Sequence, residues 1–241
     1  AKRGVLFIGY HLVSYSHKRD HINFTLGDHD LDQYPRARTL TFFELIKIVL
    51  KKKMINNISF IVIAKNEDFA IKKCLESICN FSLSNCEVIC VDSGSTDNTL
   101  GIMLSYKDKI SNLSVLKLEG ELNASVARNA GLKYVSKKYV FYVDGDVELN
   151  SGFIHEAIKR ITDGQADGCT GILHEVIYSA DYKTTVKEKF IRKNCNTEQV
   201  VKAAGGIFIV KHSAIKKIEP WDENYFRAQD FEYTLRFSKK H

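Results

Sequence analysis

An α/β fold with a mostly parallel central sheet, preceded by an appended N-terminal segment, is what this amino-acid sequence predicts. Three observations carry the prediction. From Asn57 onward, apolar runs of strand length alternate with segments whose apolar residues recur at helical spacing. The regular order strand, helix, strand, helix is the pattern of a parallel sheet covered on both faces. Two of the runs end in aspartate, Asp92 and Asp144, which places both acids on the edge where such sheets bind ligands.

The elements follow in order. "ISFIVIA" (58–64) reads as a strand, and "EDFAIKKCLESICNF" (67–81) as a helix with Phe69, Ile71, Leu75 and Ile78 on one side. "CEVICVD" (86–92) is the second strand. "STDNTLGIMLSYKDKI" (95–110) opens with capping-type residues and continues as a helix. "LSVLKLE" (113–119) is a strand, "ASVARNAGLKYVS" (124–136) a helix and "YVFYVD" (139–144) the fourth strand. Beyond it, "FIHEAIKRITDG" (153–164) and "AQDFEYTLRFSKK" (228–240) read as helices, with strand-containing segments at 168–179 and 205–218. Residues 57–150 thus form a nucleotide-binding half and residues 151–241 a half suited to a second substrate. Residues 1–56 fit neither: "GVLFIGY" reads as a strand and residues 39–53 as an amphipathic helix ending in the basic run at 51–53.

Bulk properties narrow the class. With 241 residues, 44% of them hydrophobic, the chain can bury one sizeable core. Its apolar runs are too short to cross a bilayer as helices, and no secretory signal pattern stands at the start. The net charge of +6 favours anionic ligands and allows peripheral association with the inner face of a membrane. Cys74, Cys79, Cys86, Cys90, Cys169 and Cys195 show neither CxxC pairing nor metal-finger spacing, which fits a reduced, cytosol-facing protein. A metal site among His17, His21, Asp28, His29 and Asp30 competes with a solvated loop, and the spacing favours the loop.

The chemistry concentrates in "VDGDVE". Asp144 and Asp146 leave a strand together, and alternate residues of an extended chain point the same way. Both are ionised near neutrality, so a shared location costs Coulomb repulsion that a hard divalent cation, Mg²⁺ or Mn²⁺, relieves. Gly145 removes side-chain bulk and lets a ligand approach the backbone. The competing reading is a turn, since Asp-Gly is a common turn dipeptide.

Six segments, "SFIVIAKNE", "EVICVDSGSTDNT", "ASVARNAGL", "YVFYVDGDVEL", "GGIFIVKHSAI" and "WDENYFRAQDFEYTLR", stand in the order and spacing of one family. Over residues 57–240 the chain resembles family 2 glycosyltransferases, whose GT-A fold is a Rossmann-like α/β sandwich. The resemblance implies an inverting enzyme moving a hexosyl or N-acetylhexosaminyl group from a nucleotide diphosphate sugar, UDP-linked by family habit, to a hydroxyl of a glycan, lipid-linked or protein acceptor. Bacterial polysaccharide or glycoconjugate synthesis is the implied setting, with nucleic acid not expected among the partners. It further implies that Ala64, Lys65, Asn66 and Glu67 line the base and ribose, together with Asp92, Ser93 and Arg128. Asp146 would hold the metal, Mn²⁺ or Mg²⁺, with Asp144 and Gly145 at the metal or ribose. Asp230 would be the general base, with Glu232 as its substitute. Gly205 and Gly206 would let the backbone approach the sugar, and Trp221 would stack on the acceptor. Two departures stand out: Ser93 replaces a frequent second aspartate, and Gln229 precedes Asp230 where glutamate is usual. A degenerate domain that binds nucleotide sugars or a partner is one alternative. A sugar nucleotidyltransferase is another, although "AKNEDF" lacks the basic glycine-rich loop it would need.

Overall fold

The computed structural model describes residues 5–17, 56–81, 85–179, 185–191, 200–201 and 205–240. In chain order the elements are β1 (Val5–His17), β2 (Ile58–Ala64), α1 (Ile71–Cys79), β3 (Glu87–Asp92), α2 (Thr99–Ser105), β4 (Leu113–Lys117), α3 (Ala124–Leu132) and β5 (Tyr139–Asp144). They continue with β6 (Val147–Glu148), α4 (Ser151–Thr162), β7 (Gly168–Tyr178), β8 (Thr185–Ile191), β9 (Val200–Val201), β10 (Phe208–Lys211), α5 (His212–Ile215) and α6 (Gln229–Lys240).

One sheet runs in the order β4-β3-β2-β5-β10-β7-β1-β6, with β8 beside β7 and β9 beside β1. The half built from β2 to β5 is parallel throughout, β3 with β4 and with β2, and β2 with β5. β10 then runs antiparallel to both β5 and β7. This placement explains the predicted order: each parallel step needs a crossover, and α1, α2 and α3 supply them.

Side chains of the parallel strands divide by parity between two cores. Ile58, Phe60, Val62 and Ala64 of β2, Val88 and Cys90 of β3, and Phe141 and Val143 of β5 face a core roofed by α1, α2 and α4. Ile61, Ile63, Ile89, Val91, Val140 and Tyr142 face the other, roofed by α3, α5 and α6. Burial on both faces is why "ISFIVIA" carries almost no polar residue. The one exception, Ser59, donates its hydroxyl to Glu87 at 2.5 Å.

Residues 1–56 do not stand wholly apart. β1 is longer than predicted and pairs parallel with β7 along its length, with a shift between Ile8 and His11, and antiparallel with β6 and β9. Leu12 is buried. The predicted helix over 39–53, the candidate ligands His21, Asp28, His29 and Asp30, and Cys195 lie outside the described residues; His17 ends β1.

Three boundaries differ from the sequence reading, each for a local reason. α1 starts at Ile71 because the N–H groups of Asn66, Glu67 and Asp68 are given to a neighbouring loop. α3 ends at Leu132 as Tyr134 N–H and Val135 N–H bond back to Gly131 and Leu132 carbonyls in tighter turns. β4 ends at Lys117, with Leu118 N–H still donating to Asp92 O at 2.9 Å.

Candidate active site

The ligand edge of the parallel strands holds a cavity of about 370 Å³. Residues from six separate stretches of chain line it: Ala64, Lys65 and Glu67 after β2, Ser93 after β3, Arg128 of α3, Asp144, Gly145 and Asp146 at the end of β5, Gly206, and Gln229 with Asp230 at the start of α6. Its size lies within the range of small-molecule sites.

The first wall is two loops clamped together. Asn66 takes a left-handed backbone, φ 57°, which its short polar side chain tolerates. Its N–H donates to Ser95 Oγ at 2.9 Å, and its Oδ1 accepts Thr96 N–H at 2.8 Å. Glu67 N–H donates to Thr99 Oγ1 and Asp68 N–H to Asp97 Oδ2. Burial raises the cost of charge on Asp97, but donors from Thr99 and Asp68 outweigh it and hold its carboxyl below the usual range. The "AKNE" and "SGSTDNT" loops therefore form one rigid rim.

The floor is the end of β5. Asp144 shares the parity of Val140 and Tyr142, which directs it toward α3. There Arg128 Nη2 donates to Asp144 Oδ1 at 2.7 Å. The Arg128 side chain is 4% exposed and its guanidinium lies 4.6 Å from the Trp221 ring centroid. Gly206 covers this pair: a Cβ there would stand 2.4 Å from Arg128 Nη2 and 2.6 Å from Asp144 Oδ2. Gly145 and Asp146 form the turn into β6, and both also line the cavity.

The far wall is the start of α6. Ala228 sits at φ 55°, a costly conformation for a residue with a Cβ, and Glu232 N–H closes onto its carbonyl. Strain of this kind fixes how the helix presents Gln229 and Asp230 to the cavity. Glu232 instead pairs with Arg236 through both carboxylate oxygens, and Arg236 also donates to the carbonyls of Glu219 and Pro220. Of the two acids proposed as base, Asp230 lines the cavity and Glu232 braces the segment leading to Trp221.

Negative charge is concentrated here. Burial, then Asp146, then Asp144 push the Glu67 carboxyl up to about 8. A site whose own carboxylates repel ionisation of a third has the electrostatic character of a cation site. Among the described residues no three His, Cys, Asp or Glu side chains converge as a complete metal cage. One or two carboxylates that leave the remaining positions to phosphate oxygens match the way Mg²⁺ and Mn²⁺ are commonly bound, so the residues fit such an ion.

Five expectations need correction or refinement. Trp221 is not an exposed stacking surface: it is 2% exposed, stacked on Tyr233 at 3.9 Å and edge-on to Tyr142. Asp92 has no exposed surface; sharing the parity of Val88 and Cys90, it turns away from α3, and its carboxylate accepts Ser95 N–H. Asn66 spends its side chain on the loop clamp. Gly145 is required by its own strand neighbour, since a Cβ would stand 2.6 Å from Ala64 Cβ. Gly205, with φ 74°, supplies the turn that brings Gly206 to the Arg128–Asp144 pair. Sequence reading missed Asn123, which caps α3 through Val126 N–H and lines the cavity, and Asn129, whose amide ties α3 to Trp221 and Glu223. Asn123 carried a readable cap signal; Asn129 carried none.

Residues 59–219 match the pattern of glycosyl transferase family 2. Among relatives, the poly(ribitol-phosphate) β-glucosyltransferase of Bacillus spizizenii is 32% identical over 126 residues, 47% of this chain and 20% of that protein. The poly-β-1,6-N-acetyl-D-glucosamine synthase of Staphylococcus epidermidis is 24% identical over 217 residues, 83% of this chain and 52% of that protein. The chain thus spans about half or less of these relatives' length. S. aureus TarS 1–349 in complex with UDP-GlcNAc superposes with a TM-score of 0.60 at 22% identity, covering 76% of this chain and 54% of that one. The mannosyltransferase PcManGT from Pyrobaculum calidifontis, in complex with GDP-Man and Mn²⁺, gives 0.55 at 16% identity over 79% and 57%. The fold is that of the GT-A glycosyltransferases, and with the family pattern matched over more than half its length the chain belongs to glycosyl transferase family 2.

Proposed function

We propose that the protein transfers a sugar, with inversion, from a UDP-sugar to an acceptor hydroxyl in bacterial polysaccharide or glycoconjugate synthesis. One observation carries the reading: Asp144, Asp146, Gly206 and Asp230, from distant parts of the sequence, line a single cavity. The two relatives named above, a poly(ribitol-phosphate) β-glucosyltransferase and a poly-β-1,6-N-acetyl-D-glucosamine synthase, support the setting.

The residues divide the work. The clamped rim with Lys65, Glu67 and Ser93 takes the nucleoside. Arg128 holds Asp144 in place and Gly206 keeps the backbone out of the way. Asp230 takes the proton of the acceptor hydroxyl as its oxygen bonds to the anomeric carbon, while the bond to the diphosphate breaks and its electron pair leaves with the nucleoside diphosphate. Attack opposite the leaving group inverts the centre. Asp146, with Asp144 beside it, would hold Mn²⁺ or Mg²⁺, whose Lewis acidity neutralises charge on the departing diphosphate. Among the described residues no helix is long and apolar enough to cross a membrane.

Thermal stabilisation by a panel of nucleotide sugars in Mn²⁺ tests the proposal; a donor at a hundred times its Kd adds about 2.7 kcal/mol. Asp146→Ala abolishes the metal-dependent part of UDP binding. Wild-type affinity that is the same with and without EDTA rejects the metal assignment, and binding without turnover of any donor favours a binding module.

A further inference from the structure

With Trp221 buried, the chain on either side of Asp230 still presents exposed aromatic rings. Every residue from Glu223 to Ala228 is exposed, and Tyr225 and Phe226 keep 46% and 62% of their surface in water. Phe231, directly after Asp230 in the first turn of α6, keeps 52%. The other large apolar side chains this exposed among the described residues, Leu104, Tyr134 and Val186, belong to separate parts of the chain. Three half-exposed aromatic residues thus fall within seven positions that bracket an acid lining the cavity, a cluster of apolar exposure that calls for a partner.

We propose that Tyr225, Phe226 and Phe231 form the acceptor platform and that it selects an uncharged sugar ring. The proposal rests on Asp230 being the base, because a base must lie within hydrogen-bond reach of the acceptor hydroxyl, which brings the acceptor ring alongside its sequence neighbours. Two features choose the occupant. The large exposed apolar groups are aromatic faces, which stack on the C–H faces of sugars; the one aliphatic residue between Glu223 and Phe231 is the small Ala228. From Glu219 to Glu232 stand five carboxylates, Glu219, Asp222, Glu223, Asp230 and Glu232; Arg236 offsets Glu232, which leaves four acids against Arg227. That charge disfavours an anionic membrane surface or a polyol-phosphate chain and leaves a neutral glycan favoured.

The test uses the full chain, wild type and with Tyr225→Ala, Phe226→Ala and Phe231→Ala combined. Binding is measured to neutral gluco- and N-acetylgluco-configured oligosaccharides, to a glycerol-phosphate oligomer, and to phosphatidylglycerol-containing vesicles. The expected result is that wild type binds a neutral oligosaccharide, that the triple variant loses about tenfold or more in that affinity, and that both bind UDP equally in Mn²⁺. Retained UDP binding shows the variant is folded. Binding of none of the neutral oligosaccharides, undiminished binding by the variant, or vesicle or glycerol-phosphate binding that the variant loses instead overturns the proposal. Absence of UDP binding in wild type would reject the donor reading above, a separable outcome.

Discussion

Gly206→Ala probes the arrangement at the floor of the cavity. The added methyl would lie 2.4 Å from Arg128 Nη2 and 2.6 Å from Asp144 Oδ2, where ordinary contact begins at 3.4 Å. Both contacts are too short, so both side chains, or the Gly206 backbone itself, must shift by roughly 1 Å. Asp144, at 35% exposure, can give way, but Arg128, 4% exposed and held against Trp221, has little freedom, so its clash is the costlier one. Overpacking of this kind costs about 1–3 kcal/mol, and the 2.7 Å bond between the pair is broken or bent. At about 2–4 °C per kcal/mol for a chain of this size, Tm falls by roughly 4–8 °C for a cost near 2 kcal/mol. Calorimetry measures that fall, and titration of UDP in Mn²⁺ should show affinity reduced about tenfold or more, equivalent to ~1.4 kcal/mol. Gly205→Ala is the control. At φ 74° it introduces backbone strain of about 1 kcal/mol and should lower Tm with little change in UDP affinity. Wild-type Tm and affinity in Gly206→Ala would refute the idea that a bare Cα is needed over the Arg128–Asp144 pair.

The other expectations concern acids that the structure separates by role. Asp230→Asn keeps UDP-sugar binding and lowers transfer by about 10²–10⁴-fold; near-normal transfer in a steady-state assay would remove Asp230 as base. Glu232→Gln, which loosens the Arg236 brace, costs about 1–2 kcal/mol in a denaturant titration and leaves kcat within a few-fold, whereas a folded but inactive variant would move the base to Glu232. Glu67 titrates near 8 in the folded chain against an ordinary 4.5, so the unfolded chain releases this proton first as pH rises. Its contribution to stability is complete below about pH 4.5 and is lost progressively up to about pH 8. Glu67→Gln should then raise Tm relative to wild type at pH 8.5 and match it at pH 5; equal Tm at both values would contradict the crowding of charge around Asp146.

Local pattern alone determined much of this protein. Strand-length runs such as "ISFIVIA" and "YVFYVD" are apolar on both parities because both faces of the sheet are covered, so their burial and their parallel pairing follow from composition and spacing. The same reasoning put Asp144 and Asp146 at the ligand edge, since an acid at the end of such a strand has nowhere else to be. Tertiary structure decided which way each side chain turns. Asp92 and Asp144 look alike in sequence, yet their parities differ, so one is sealed in its loop and the other meets Arg128. Trp221 and Phe231 could exchange roles on paper; the stack on Tyr233 buries the first, and helix phase exposes the second. β1 joins the sheet through pairing with β7, a partner more than a hundred residues away that no local signal names. Contacts between distant segments depend on how the faces meet in space, and one-dimensional spacing carries no record of that.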